Sequence, residues 1–343
     1  ERLSLYLRWK TGFSTDRETM YLESYSIEAA FYRNVAPLVK GLVLPAVYHN
    51  HADCFNNQFG MVMQNINFAN LDDGQPGGFG ANNAFLILQK LGRFHGTFWD
   101  HPLLPKMHLW PTAGMSLSSL SLNLDLFVLT SHVGSGHWTG EKRWEQKCRI
   151  KEEWRRTMEN FHDSLVFTKE SRKIGSRLQR NLDKLIAQFV AIPHKTLVHG
   201  DFKVTNVFVD KAKYVFICSL SLSLSCYAAL SPFVFDSFVY QQDAAESEVY
   251  VIDWQWAGQG TGAIDAAYFL CTSCSIDLLT LRNVKHMVKK AYHSTLLRFA
   301  TNADYKFKLF WQQFMLCWVD FFVYCVTSKW STMTPKTVQE YAE

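Results

Sequence analysis

Leu197-Val198-His199-Gly200-Asp201-Phe202-Lys203-Val204-Thr205-Asn206-Val207-Phe208-Val209 is the stretch that decides how this chain is read. An apolar strand runs into His-Gly-Asp, four residues intervene, an Asn follows, and a second apolar strand resumes. Downstream, Val249-Tyr250-Val251-Ile252-Asp253-Trp254-Gln255 is another apolar strand, ending in an acid. Short runs rich in β-branched residues read as buried strands. If 207–209 and 249–252 pair as a hairpin, Asn206 and Asp253 become neighbours across its open end.

Those side chains suit phosphoryl transfer from ATP. The reaction asks a protein mainly for positioning and charge neutralisation. Mg²⁺ prefers oxygen ligands and keeps several waters, so a carboxylate (Asp253) and an amide oxygen (Asn206) suffice. A second carboxylate must orient the acceptor hydroxyl and take its proton, which suits Asp201 at its strand end.

His-Gly-Asp-x₄-Asn followed by Ile-Asp-Trp-Gln resembles the catalytic and metal-binding loops of the aminoglycoside phosphotransferase and choline-kinase-like superfamily. The Asp-Trp-Gln form is similar to its choline/ecdysteroid-kinase-like branch, which has the protein-kinase fold. The resemblance implies Asp201 as catalytic base, Asn206 and Asp253 as Mg²⁺ ligands, and His199 as a brace for the loop. Gly258 to Tyr268 is similar to the family's Gly-x-x-x-x-Asp-Leu-Ala segment, which makes Asp265 structural. Glu28 resembles the helix glutamate that pairs with a nucleotide-binding lysine. The family spacing places that lysine at position 8, where Arg8 stands, with Lys10 as the fallback on the same strand face. Arg does not reproduce the compact charge of Lys. Leu91 to Gly96 resembles Leu-Ala-x-x-His-Ala, with Gly92 and Gly96 in place of both alanines. The glycine-rich phosphate loop of such kinases would precede residue 1, so the N-terminus reads as a truncation; no charged-then-apolar leader opens the chain.

The expected architecture is therefore α+β: a bilobal protein-kinase-like fold with a truncated N-lobe over 1–65 and a mostly helical C-lobe over 66–343. The pattern predicts strands over Leu3–Trp9, Leu42–His49 and Gln58–Gln64, with a turn between the last two. Helices are predicted over Tyr21–Val35, Asn82–Trp99, Gly140–Leu165, Glu170–Val190, Ile276–Phe299 and Ala303–Ser328. The strand ending at Gln64 leads into the hinge, so the backbone of Gln64, Asn65 and Ile66 is the candidate adenine contact.

Two Ser/Leu-rich segments, 115–136 and 215–239, fit none of this and read as insertions foreign to the fold. Tyr214 to Phe235 is uncharged over 22 residues, the length of a membrane span. That reading is rejected, because five serines and Pro232 weaken it and the motifs on either side must meet in one site.

Composition narrows the class without naming it. Charged residues are 19% of the 343 and the net charge is +4, which argues against a nucleic-acid surface, since basic residues form no stripe. Lys142 to Arg156 interleaves with acids and reads as a solvated helix face. Cys271 and Cys274 read as a reduced, buried pair, which fits a cytoplasmic protein. His49, His51 and Asp53 read as a polar loop rather than a metal trio. Trp311, Phe314, Trp318, Phe321 and Phe322 recur at helical spacing and read first as core, second as the wall of an acceptor pocket. The expected partner is a small molecule with a hydroxyl group. A catalytically inactive pseudokinase is the rival reading, favoured by Arg8 and the missing glycine loop.

Overall fold

The computed structural model describes residues 5–11, 16–53, 58–66, 70–105, 140–160, 169–193, 195–210, 247–300, 303–330 and 333. Both Ser/Leu-rich segments lie outside the described residues. The fold mixes helices with small sheets.

Strands β1 (Leu5–Thr11), β2 (Val47–Asp53) and β3 (Gln58–Gln64) form an antiparallel sheet in the order β1-β3-β2. Helix α1 (Asp16–Asn34) packs on it, with Tyr25 stacked on Phe59 at 4.9 Å. Two expectations change here. The strand expected from Leu42 begins only at Val47, because Pro45 lacks the N–H that a ladder needs. Instead Val43 bonds a distant strand: its N–H donates to Val249 O (2.8 Å) and its carbonyl accepts from Val251 N (3.0 Å). β2 also continues through Asp53, so His49 and His51 sit on a strand and not in a loop.

After β4 (Leu71–Asp72), helix α2 (Ala81–Thr97) opens the helical part, followed by α3 (Gly140–Asn160) and α4 (Lys169–Val190). The charged face of α3 is laced by Arg155 and Arg156 to Glu152, as its sequence predicts. Next come β5 (Thr196–Val198), β6 (Val207–Asp210), β7 (Val249–Val251) and β8 (Gly258–Gly260). β6 pairs with β7 and β4, and β5 with β8, all antiparallel.

Helix α5 (Ala263–Ser273) follows. The helix expected over 276–299 is broken into a 3₁₀ turn, α6 (Leu281–Met287), a π-helical turn (Val288–His293) and α7 (Ser294–Phe299). Last is α8 (Phe307–Ser328), which packs on α3, α4 and α5. By length and composition α8 is, among the described residues, the helix apolar enough to cross a membrane.

One apolar core runs from Tyr25 and Phe59 through Phe94 and Trp254 to Phe310 and Phe314. Trp311, Trp318 and Phe321 pack against it, whereas Phe322 joins a second cluster of α3, α4 and α8 around Trp154. Two glycines of α2 explain how tightly this core closes. A Cβ on Gly92 would meet Tyr292 O at 2.5 Å, and one on Gly96 would meet Leu296 O at 2.6 Å. Glycine in place of alanine thus lets α2 lie backbone to backbone on the π turn and α7.

Candidate active site

The site is built on the loop between β5 and β6. Gly200 takes φ +82°, a left-handed conformation that glycine adopts without strain, and this turns the chain sharply before Asp201. The two N–H groups exposed by that turn are captured by a buried carboxylate. Asp265 accepts from His199 N at 2.6 Å and from Gly200 N at 2.9 Å. It also meets His95 Nε2 at 3.2 Å, while His95 Nδ1 lies 2.8 Å from the Tyr292 hydroxyl. With Asp265 anionic, His95 donates from Nε2 and accepts the tyrosine proton at Nδ1. Gly262 makes room for this chain, since a Cβ there would lie 2.1 Å from Tyr292 Oη.

His199 is fully buried and is hydrogen-bonded at both ring nitrogens. Its Nδ1 accepts from Asp201 N (3.1 Å), so its Nε2 carries the proton given to Ile252 O (2.9 Å). One imidazole thereby ties the loop to the end of β7.

The expected hairpin forms. Val207 faces Val251, and Ile252 N donates to Asn206 O at 3.1 Å, which sets Asp253 just beyond Asn206. Asn206 Nδ2 donates to Asp201 O (2.9 Å) and Oδ2 (3.2 Å). Fixing the amide nitrogen this way leaves Oδ1 as the acceptor of the pair, where it takes a long hydrogen bond from the Thr205 hydroxyl (3.4 Å). Asp253 stands at φ +65°, unusual for a residue with a side chain and worth about 1 kcal/mol of strain. Gln255 bridges it to α1: Nε2 donates to Asp253 Oδ2 (3.3 Å) and Oε1 accepts from Ser24 Oγ (3.3 Å). Trp254, fully buried, stacks on Phe31 of α1 at 4.0 Å and lies 4.6 Å from His199.

Two residues were not singled out by sequence reasoning. Lys203 Nζ lies 2.8 Å from Asp201 Oδ2. Its place two residues after the acid was the available signal. Burial, and then the negative charge of Asp201, holds the Tyr268 phenol far above its usual range.

The remaining candidates are spread over α1, β1 and the end of β3. Glu28 is buried on α1. Arg8 and Lys10 take register positions opposite Met61 and Phe59, and their side chains are outside the described residues. At the end of β3, Gln64 N donates to Ala46 O (2.7 Å) and its side chain accepts from Ala46 N, so the Gln64 N–H is not a donor to a base. Beside it Ile66, Leu71 and Phe208 form a small apolar cluster with Tyr250 and Ile252. The Cys271 and Cys274 thiols are free, and burial pushes Cys274 up to about 12.

No family model matches the chain. No curated protein matches its sequence. Among solved structures it is similar to a GDP complex of a mutant aminoglycoside 2′-phosphotransferase, with a TM-score of 0.39 and 10% identity over 97% of this chain and 84% of that one. A likeness of that size carries no argument, and the reading of the site rests on its own geometry.

Proposed function

We propose that this chain is an ATP-dependent phosphotransferase that moves the γ-phosphate to a hydroxyl group of a small molecule, on a two-lobed protein-kinase-like fold. The observation that carries the reading is the meeting of Asp201, Asn206 and the start of Asp253 at one end of the β6–β7 hairpin. Carboxylate and amide oxygens are the donor set that Mg²⁺ takes, so Asn206 Oδ1 and the Asp253 carboxylate would hold it. Bound there, the metal would neutralise charge on the phosphates. Phe208 follows Asn206 by two residues and Ile252 precedes Asp253, so the apolar cluster they share with Ile66 offers a seat for the adenine ring beside Asn65 and Ile66. The phosphates then run toward Asn206 and Asp253, and Lys203 stands ready to share their charge.

Asp201 orients the acceptor hydroxyl and accepts its proton as oxygen attacks phosphorus and the bond to ADP breaks. His199, Asp265 and His95 do no chemistry; they hold the loop that presents Asp201. Glu28, with Arg8 or Lys10, completes the nucleotide side.

A thermal-shift titration tests the reading. Mg–ATP at a hundred times its dissociation constant stabilises a binder by about 2.7 kcal/mol, and the absence of any shift would count against nucleotide binding. Asp201→Ala should keep that shift while losing transfer by about 10²- to 10⁴-fold in a screen of alcohols. Transfer that survives the substitution would refute the assigned base.

A further inference from the structure

Basic residues are scattered along the sequence as a whole, yet the folded chain gathers a group of them on one surface. Between Arg282 and Lys308 stand seven Lys or Arg residues and one acid, Asp304, a surplus larger than the +4 of the whole chain. From α6 into the π turn, Arg282, Lys285 and Lys289 recur at three- to four-residue spacing, with Lys290 beside the last. All four are exposed, while Val284, Met287, Val288 and Ala291 turn into the core. Among the described residues none of the four is paired with a carboxylate, whereas Arg155 and Arg156 of α3 are tied to Glu152. The start of α8 lies against this stripe. Lys289 Nζ stands 5.4 Å from the ring centre of Phe307, and Lys285 Nζ stands 5.5 Å from that of Trp311. Those two half-buried rings stack on each other at 6.2 Å, and exposed Lys308 is one turn from Trp311. Leu281, one turn before Lys285, is 66% exposed.

We propose that this stripe docks the protein on an anionic phospholipid bilayer, with α6 and the π turn lying on the surface and not crossing it. Charge complementarity carries the choice of partner: an unpaired positive stripe is drawn to a negative leaflet. The apolar features choose lipid among polyanions. Lysine stems laid over aromatic rings keep the ammonium groups at headgroup level while the rings sit beneath them. Leu281 adds apolar surface that a bilayer interface takes up and a sugar–phosphate backbone does not. The Trp311 ring is already engaged by Phe307, Phe314 and Lys285, whereas stacking on a nucleobase needs an open aromatic face.

The test is co-sedimentation of the full chain with vesicles. Phosphatidylcholine vesicles containing about one third phosphatidylserine should carry the protein down, and vesicles of phosphatidylcholine alone should not. Salt at about 0.5 M should release it, because the attraction is screened. Each Lys or Arg at an anionic surface raises partitioning about fivefold, so Lys289→Gln with Lys290→Gln should lower binding about 25-fold. Lys173→Gln with Lys184→Gln removes the same charge from exposed positions of α4, off the stripe, and should leave binding unchanged. The unfolding midpoint should be that of the wild type in both pairs. Equal binding to the two kinds of vesicle, or binding to neither, overturns the proposal. So does an equal loss in the two pairs of variants, which would make the attraction one of overall charge. Retention of single-stranded RNA in the same buffer, without sedimentation on anionic vesicles, would assign the stripe to nucleic acid instead.

Discussion

The loop that carries Asp201 and the sheet that carries Arg8 and Lys10 are held in different ways. Around the loop, buried polar groups interlock: Tyr292, His95, Asp265 and two backbone N–H groups form one chain, and His199 ties in Ile252. Helix α1 meets the rest through contacts that include a stacked Phe31–Trp254 pair and the Ser24–Gln255 hydrogen bond, and the segment that follows it adds the Val43 bridge to β7. A fully satisfied polar network in a low-dielectric core fixes one geometry, whereas stacking tolerates small slides. The lesson is that interlocked polar contacts are concentrated around the loop of Asp201, the proposed base, and that stacking dominates where α1 meets it.

The sharpest way to break this contrast is Asp265→Ala. It strands two buried N–H groups and the His95 ring nitrogen, each worth about 1–3 kcal/mol, so a loss of about 5 kcal/mol in urea unfolding is expected. Phe31→Ala should cost about 3–4 kcal/mol through the cavity left against Trp254. It should also weaken Mg–ATP binding while sparing the loop, as seen by slow amide exchange at His199 and Gly200. Ser24→Ala removes one partly buried hydrogen bond and should cost only about 0.5–1 kcal/mol. Were Ser24→Ala to prove as damaging as Asp265→Ala, the contrast between the two regions would fail.

How much of this was legible depended on where the local pattern agreed with the tertiary one. Val207–Val209 and Val249–Val251 are β-branched runs at a hairpin register, so the nearness of Asn206 and Asp253 could be read without coordinates. Long amphipathic helices such as α2 and α4 were equally plain. Helix α5 was missed: Ala263 to Ser273 is apolar nearly all round, and Gly262 before it offers no side-chain cap. β8 is Gly-Gln-Gly, which carries no strand signal at all. The π turn at Val288–His293 lies against α2 at Gly92, a tertiary contact with no local mark in the sequence. Tyr268 stayed hidden with its helix, because only the α5 periodicity shows it sharing a face with Asp265.

The central claim is that Asn206 and Asp253 hold a metal on which nucleotide binding depends. Calorimetric titration with ATP, with and without Mg²⁺, measures this directly for the wild type and for Asp253→Asn. The account predicts tight binding only with Mg²⁺ in the wild type, and weak binding, indifferent to the metal, in the variant. Equal metal dependence in both proteins would contradict it.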